Sequence, residues 1–398
     1  MGNLRRLLTF LALFVFFWPI GNPDDPLSPG LYGSENYLFI VAVAWFGILV
    51  GLMSRGWEKG DDLMDTIVLS LLLLGVFEVL YSLSLGGKIL FMHPIPFLYT
   101  VYFLGRLVDP EEFERYLPYV FVLGMFFVFL ITFYQVVLLS SYKLRFGTRT
   151  AFFAPVGVAF SIYMFNRTDS LREKAMYLLT MVLSVVVMTL FGNRTAYLSL
   201  FVLLGLTLII SRIVRNLRSM LVTMGSVAAV GTMSVALLGI MYMGPIFVIY
   251  VVQRFFSIFT KLGKGRDPSV MIRKYDIAHA LDRWVWQPFF GRSPSDYMLR
   301  GIEGSTILFV DNAFVTLLWK YGAVGLLLFL TFLGYSAYLI WNLLKVEKTP
   351  FTLLTAFIFV NLLVISISTS VFTTYVHVAS LSLLLGVASR KRGHLSTL

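Results

Sequence analysis

The arginines carry most of the chemistry legible in this chain. Arg149, Arg194, Arg254, Arg266, Arg273, Arg283, Arg292 and Arg300 all fall in segments that hydropathy assigns to the outer face of a membrane. A guanidinium offers a planar fork of donors that fits phosphate and carboxylate oxygens. Several of them gathered at one membrane boundary point to an anionic ligand bound there. In Phe191-Gly192-Asn193-Arg194-Thr195 two apolar runs meet with almost no loop. Gly192 permits the tight turn. Arg194 then opens a helix, where free N–H groups and the helix dipole also favour phosphate. An arginine snorkelling to lipid headgroups would occupy the same place.

A second stretch, 271–286, has helical periodicity. Ile277, Leu281, Trp284 and Val285 form one apolar stripe. Arg273, Asp276, Ala280 and Arg283 recur at spacings of three and four on another face. Two readings stand: an arginine face over a cavity, with Asp276 orienting Arg273, or an amphipathic helix lying on the membrane surface. His279 lies in the same helix, as a surface residue or a base. Asp311-Asn312 follow at the start of the next apolar run. Asp311 suits a helix N-cap, and a carboxylate at that boundary also suits a general base. No His/Asp/Glu group has metal-ligand spacing, so neither a metal site nor a cofactor is expected.

The elements that must position these residues are membrane helices. Of 398 residues, 58% are hydrophobic and only 13% charged, with a mean hydropathy of +0.83. A soluble domain of this size needs more charge, so the class is a polytopic all-α membrane protein. The apolar runs are continuous rather than alternating, which excludes a β-barrel. There is no cysteine, hence no disulfide or thiolate chemistry. The net charge of +11 has no soluble basic domain to carry it, so nucleic acid is not a partner.

About twelve spans are expected, near 5–21, 37–54, 63–85, 89–106, 117–140, 149–166, 174–191, 194–211, 219–243, 310–343, 352–369 and 371–389. The first follows Arg5 and Arg6. It reads as retained, because Trp18, Pro19 and Asn22 stand where a cleavage site needs small residues. Pro94 and Pro96 should kink or break the fourth span. The tenth exceeds one bilayer and should tilt or project. Alternate loops are short and basic: Arg55/Lys59, Arg106/Arg115, Arg167/Arg172/Lys174, Arg212/Arg215/Arg218, Lys345/Lys348 and Arg390/Lys391/Arg392. These are cytoplasmic by the positive-inside rule, as are both termini. The opposite loop 22–36 carries Asp24, Asp25 and Glu35 and no base, as expected. The short turn bearing Lys143, Arg145 and Arg149, the Arg194 turn, and the long segment 244–309 break the pattern. The chain thus divides into nine helices over 1–243, an outer loop with an amphipathic helix over 244–309, and three helices over 310–398.

Asp311-Asn312, nine residues, then Gly322-Ala323-Val324-Gly325 resembles the His-Asn/Ser/Gln, nine residues, Gly-x-x-Gly signature of the O-antigen ligase and O-antigen polymerase superfamily, with Asp in place of His. Pro288-Phe289-Phe290-Gly291-Arg292-Ser293-Pro294 resembles the family's preceding Pro-x-x-Gly-x-Gly stretch, and Asn193-Arg194-Thr195 its Ser-Arg-Gly/Ala turn. Arg273 stands about where the family has a loop arginine. The resemblance implies a GT-C-like fold in a bacterial inner membrane. It implies an undecaprenyl-diphosphate-linked oligosaccharide donor, used at the periplasmic face without a metal. It assigns catalysis to Asp311, Arg273 and Arg194. Arg194 and Arg273 would hold the departing diphosphate, and Asp311 would engage the acceptor hydroxyl. Arg149, Asp276, Arg283 and Asn312 complete the expected substrate-binding set. Asp at the His position looks more like a polymerase, whose acceptor is another lipid-linked glycan and whose partner is a chain-length regulator. A ligase acting on lipid A-core, or a protein O-oligosaccharyltransferase, is the alternative within the family.

Outside the family, a polyisoprenoid-glycan transporter fits the span count equally well. Glu78 and Lys320 are its few midspan charges. A membrane scaffold would not need the exposed arginine turn.

Overall fold

The computed structural model describes residues 2–21, 34–55, 61–84, 98–133, 153–191, 194–211, 225, 268–294, 296–299, 306–307, 310–367 and 375–395. Over these the chain is built from helices: α1 (Gly2–Gly21), α2 (Ser34–Arg55), α3 (Asp62–Ser84), α4 (Thr100–Leu107), α5 (Pro110–Phe133), α6 (Ala154–Arg167), α7 (Leu171–Phe191), α8 (Arg194–Ser211), α9 (Pro268–Val285), α10 (Ala313–Val346), α11 (Pro350–Ser366) and α12 (Tyr375–Leu395). A two-residue antiparallel ladder, β1 (Met298–Leu299) with β2 (Thr306–Ile307), lies between α9 and α10.

Among the described residues four helices, α3, α5, α7 and α10, are long and apolar enough to cross a membrane, and α2, α8 and α11 contain shorter apolar stretches. The expected span at 219–243 and the prolines at 94 and 96 lie outside the described residues. So do His93, Lys143, Arg145, Arg149, Gly192, Asn193, Arg254, Arg266 and Arg300.

Local chemistry moves several boundaries from where hydropathy puts them. The fifth apolar run was expected from 117, yet α5 starts at Pro110. Proline is pre-set for a first helical turn, Asp109 accepts from Glu111 N at 3.2 Å, and Glu111 and Glu112 complement the dipole. The polar first turns are helical although they are not apolar. α11 starts in the same way, with Thr349 accepting from Thr352 N and Pro350 following it. The excess length of the tenth run is resolved by a break at Gly322. This separates 313–321 from 323–346, a remainder about one bilayer long.

Inside the bundle α4 packs on α12, α6 on α7 and α8, α1 on α2 and α5, and α3 on α10. The α4–α12 crossing depends on two glycines. A Cβ on Gly386 would lie 2.1 Å from Tyr102 O, and one on Gly105 2.3 Å from Leu383 O. Only a glycine pair lets these backbones approach so closely. Large apolar side chains such as Leu73, Leu80, Leu179, Ile209 and Leu327 point outward, as lipid-facing residues do.

The basic residues at one end of the bundle bond within it. Arg106 is buried and grips Asp65 with Nε at 2.9 Å and Nη2 at 3.0 Å, while Tyr102 Oη donates to the same carboxylate at 2.6 Å. Arg390 donates to Leu107 O and Val108 O at 2.8 and 2.7 Å. Arg392 and Tyr335 share Asp61, and Lys391 pairs with Glu114 and Glu347. These bonds tie α3, α4, α5, α10 and α12 together. Loop charge counts alone do not reveal them.

Candidate functional site at the start of helix α10

The segment Pro288–Pro294 docks into the break in α10. In an unbroken helix Ala323 N and Val324 N would donate to Trp319 O and Lys320 O. Here Ala323 N donates to Pro288 O at 2.8 Å and Val324 N to Phe289 O at 3.1 Å. The released carbonyls are taken by the same segment: Arg292 N donates to Trp319 O at 2.9 Å and Ser293 N to Lys320 O at 3.1 Å. Two helical bonds are replaced by four from the loop, so the two N–H groups and two carbonyls freed at the break are all paired. Gly322 has φ 66° and ψ −168° and Gly291 has φ 72°. A Cβ on either would lie within 2.5 Å of the other strand's backbone. The two glycine-bearing motifs noted separately in the sequence are therefore the two halves of one joint.

Ser293 has φ 101°, the one non-glycine with positive φ among the described residues. That conformation costs about 1–3 kcal/mol for a side-chain-bearing residue. It is held in place by its N–H bond to Lys320 O and by Ser82 Oγ of α3, 2.6 Å from its own Oγ. In the family pattern this position is the second glycine.

Asp296 braces the joint from outside. It accepts from Arg283 Nη1 at 3.1 Å and from Trp319 Nε1 at 2.9 Å. Arg283 Nη1 also donates to Tyr297 O at 2.7 Å. Lys320 is buried, donates to Pro294 O at 2.8 Å and to Asp296 O, and lies 4.5 Å from the Trp319 ring centroid. Lys320 is thus a structural cation of this clamp. Sequence reasoning noted it only as a midspan charge, and it left Trp319, Asp296 and Ser82 without a role. The adjacent Trp-Lys in an apolar helix was the available signal.

The burial of α9 shows which of its residues meet α10. Asp276 and Ala280 are buried on the side facing α10, where Ala280 packs with Met298, Val310 and Trp319. Val285, of the apolar stripe, is exposed, and Leu281 and Trp284 are half-buried. Small Ala280 lets α9 approach Trp319, and of the stripe residues Ile277 packs against the same cluster while Val285 is exposed. Asp276 is not without a partner, but among the described residues no hydrogen bond joins it to Arg273. Arg273 instead crosses to α10 and donates Nε to Asp311 Oδ2 at 3.1 Å.

Helix capping also falls one residue later than expected. α10 begins at Ala313, and its N-cap is Asn312, whose side-chain oxygen accepts from Val315 N at 3.0 Å. Asn312 Nδ2 reaches Ile367 O at 3.2 Å. Asp311 is therefore free of capping. The Arg273 and Asp311 side chains are 40% and 49% exposed, and among the described residues both Nη groups of Arg273 donate to nothing. A guanidinium with open donors thus stands beside an accessible carboxylate. Such a pair can grip an oxyanion and accept a proton.

Of the other expected site residues, Arg194 is the first residue of α8, with its side chain, like all of Arg149, outside the described residues. Arg283 is committed to Asp296 and Tyr297. His279 is half-buried against Tyr275, with ring centroids 6.0 Å apart. No family model matches the chain, and no curated protein matches it.

Proposed function

We propose that the chain is a membrane glycosyltransferase of about twelve spans, GT-C-like, with both termini cytoplasmic and its site at the periplasmic face of a bacterial inner membrane. It takes an undecaprenyl-diphosphate-linked oligosaccharide as donor and acts as an O-antigen or surface-polysaccharide polymerase. The observation that carries this reading is the Arg273–Asp311 pair, relieved of capping by Asn312 and set by the joint between Gly291 and Gly322. A pair this exposed contributes at most about 1 kcal/mol to folding, so stability gives little reason for it. The glycine-like backbone at Ser293, where the resembled pattern has glycine, supports the same assignment.

The chemistry follows from the pair. The donor diphosphate competes with Asp311 for Arg273 and takes its open Nη groups. The freed Asp311 carboxylate then accepts the proton of the acceptor hydroxyl as that oxygen bonds to the anomeric carbon. The bond from that carbon to the diphosphate oxygen breaks, and undecaprenyl diphosphate leaves with its charge held by Arg273 and Arg194.

The test is to incubate purified protein with lipid-linked oligosaccharide alone. A product ladder without lipid A-core identifies a polymerase, and product only with lipid A-core identifies a ligase. Normal polymer lengths in both Arg194→Ala and Arg273→Ala would remove the enzyme reading. A polyisoprenoid-glycan transporter is the second reading. It is favoured by Glu78, a fully buried carboxyl on α3 with neither oxygen hydrogen-bonded among the described residues.

A further inference from the structure

We propose that the groove between α1 and α5, at the end of the bundle bearing Arg106 and Arg390, binds the headgroup of a phospholipid with a primary amine, of the phosphatidylethanolamine type. The groove has a volume of about 890 Å³ and is lined by two cations, Arg6 and Arg115, and two carboxylates, Glu111 and Glu112. Arg6, Glu111 and Arg115 are exposed, and Glu112 is half-buried. Formal charge around the opening sums to zero. An anionic headgroup would meet two carboxylates, and a free cation would meet two guanidiniums. A phosphate joined to an ammonium by two carbons matches both, with phosphate on the arginines and N–H donors on the glutamates.

The lining is held ready for this. Thr9 Oγ1 donates to Glu112 Oε2 at 3.0 Å and fixes that carboxylate against α1. Arg115 lies 5.8 Å from the centroid of Tyr116, which keeps its guanidinium at the rim. The wall beyond the charges is apolar. Phe10, 63% exposed, lines the groove and stacks on Phe14 one turn further into the bundle, with ring centroids 6.5 Å apart. That surface suits acyl chains, which commits the occupant to a lipid rather than a soluble phosphoamine. The end carrying the basic loops is also the end that the positive-inside rule places at the cytoplasmic leaflet.

The amine is what separates this site from a generic basic patch, because a trimethylated ammonium has no N–H to donate to a carboxylate. The test is native mass spectrometry of the intact delipidated protein titrated with phosphatidylethanolamine, phosphatidylcholine or phosphatidylglycerol of identical chains. The ethanolamine lipid should bind about tenfold more tightly than the choline lipid, as one charge-assisted hydrogen bond implies. Glu111→Gln, at an exposed residue, should shrink that preference. Arg115→Gln should weaken the ethanolamine and choline lipids alike while leaving their ratio in place. Equal binding of the ethanolamine and choline lipids, or tighter binding of the glycerol lipid than of either, would overturn the proposal. So would an undiminished preference in Glu111→Gln.

Discussion

Replacing Gly322 by alanine should open the joint on which the site depends. At φ 66° and ψ −168° a side-chain-bearing residue is strained by about 1–3 kcal/mol. The added Cβ would stand 2.2 Å from Phe289 O and 2.5 Å from Gly291 N. These are backbone atoms and cannot rotate aside, so the Pro288–Pro294 segment must lift. Lifting forfeits four hydrogen bonds, each worth about 0.5–1.5 kcal/mol. Strain and lost bonds together come to roughly 3–9 kcal/mol. Gly334 in the same helix is the control: nothing lies within 4 Å of a Cβ there, and alanine gains up to about 1 kcal/mol of helix propensity. Equilibrium unfolding in mixed detergent micelles, followed by tryptophan fluorescence, reads both variants, because Trp284 and Trp319 sit in the clamp. If Gly322→Ala unfolds within about 0.5 kcal/mol of the parent, inside the usual scatter of surface substitutions, the segment does not dock as described and the positioning of Asp311 needs another cause.

Three further outcomes separate function from folding. Arg273→Ala and Asp311→Asn should each change stability by less than about 1 kcal/mol, since the pair is half exposed, while slowing glycan extension about 100-fold or more; parallel losses in stability and activity would argue for a structural role instead. Asn312→Ala should cost about 1 kcal/mol of stability through the lost cap, measured by the same unfolding assay, with a smaller effect on extension than Asp311→Asn. Glu78→Leu should raise stability by about 1–3 kcal/mol, because it removes a buried carboxyl with no hydrogen bond; a fall in stability would mean that Glu78 has a ligand in the native membrane.

The all-helical membrane class was legible in the sequence, because long apolar runs have few alternatives in lipid. Boundaries were less legible wherever a helix begins in polar residues: the first turns of α5 are set by Asp109 and Pro110, and hydropathy does not register them. For the site, the resemblance put Asp311 and Arg273 in one catalytic set, while the residues themselves gave only a boundary position and a helical face. Their direct contact does not follow from spacing, since the pair is 38 positions apart and the periodicity over 271–286 does not fix the path from that helix to Asp311. Which face of α9 meets α10 was not legible for a related reason. Hydrophobicity ranks Trp284 and Val285 above Ala280, but a close helix contact needs a small residue more than an apolar one. The role of Lys320 was hidden because its acceptors are the carbonyls of Pro294 and Asp296, and every residue has a carbonyl.

The separation of Asp311 from Arg273 is set at a distance from both. α9 is fixed against α10 by Arg283 on Asp296 and by Ala280 beneath Trp319, and α10 is fixed by the four loop bonds at its break. Arg273 lies on the free end of α9 beyond these contacts, and Asp311 lies just before the cap of α10. Neither is held by burial, so each owes its position to the helix that carries it. The residue at strained φ, Ser293, sits at the centre of that arrangement and is tied to α3 through Ser82. A local strain of about 1–3 kcal/mol persists only where surrounding contacts over-determine it. Here those contacts are the ones that align the two helices, which places the strained residue in the frame of the site rather than in its chemistry.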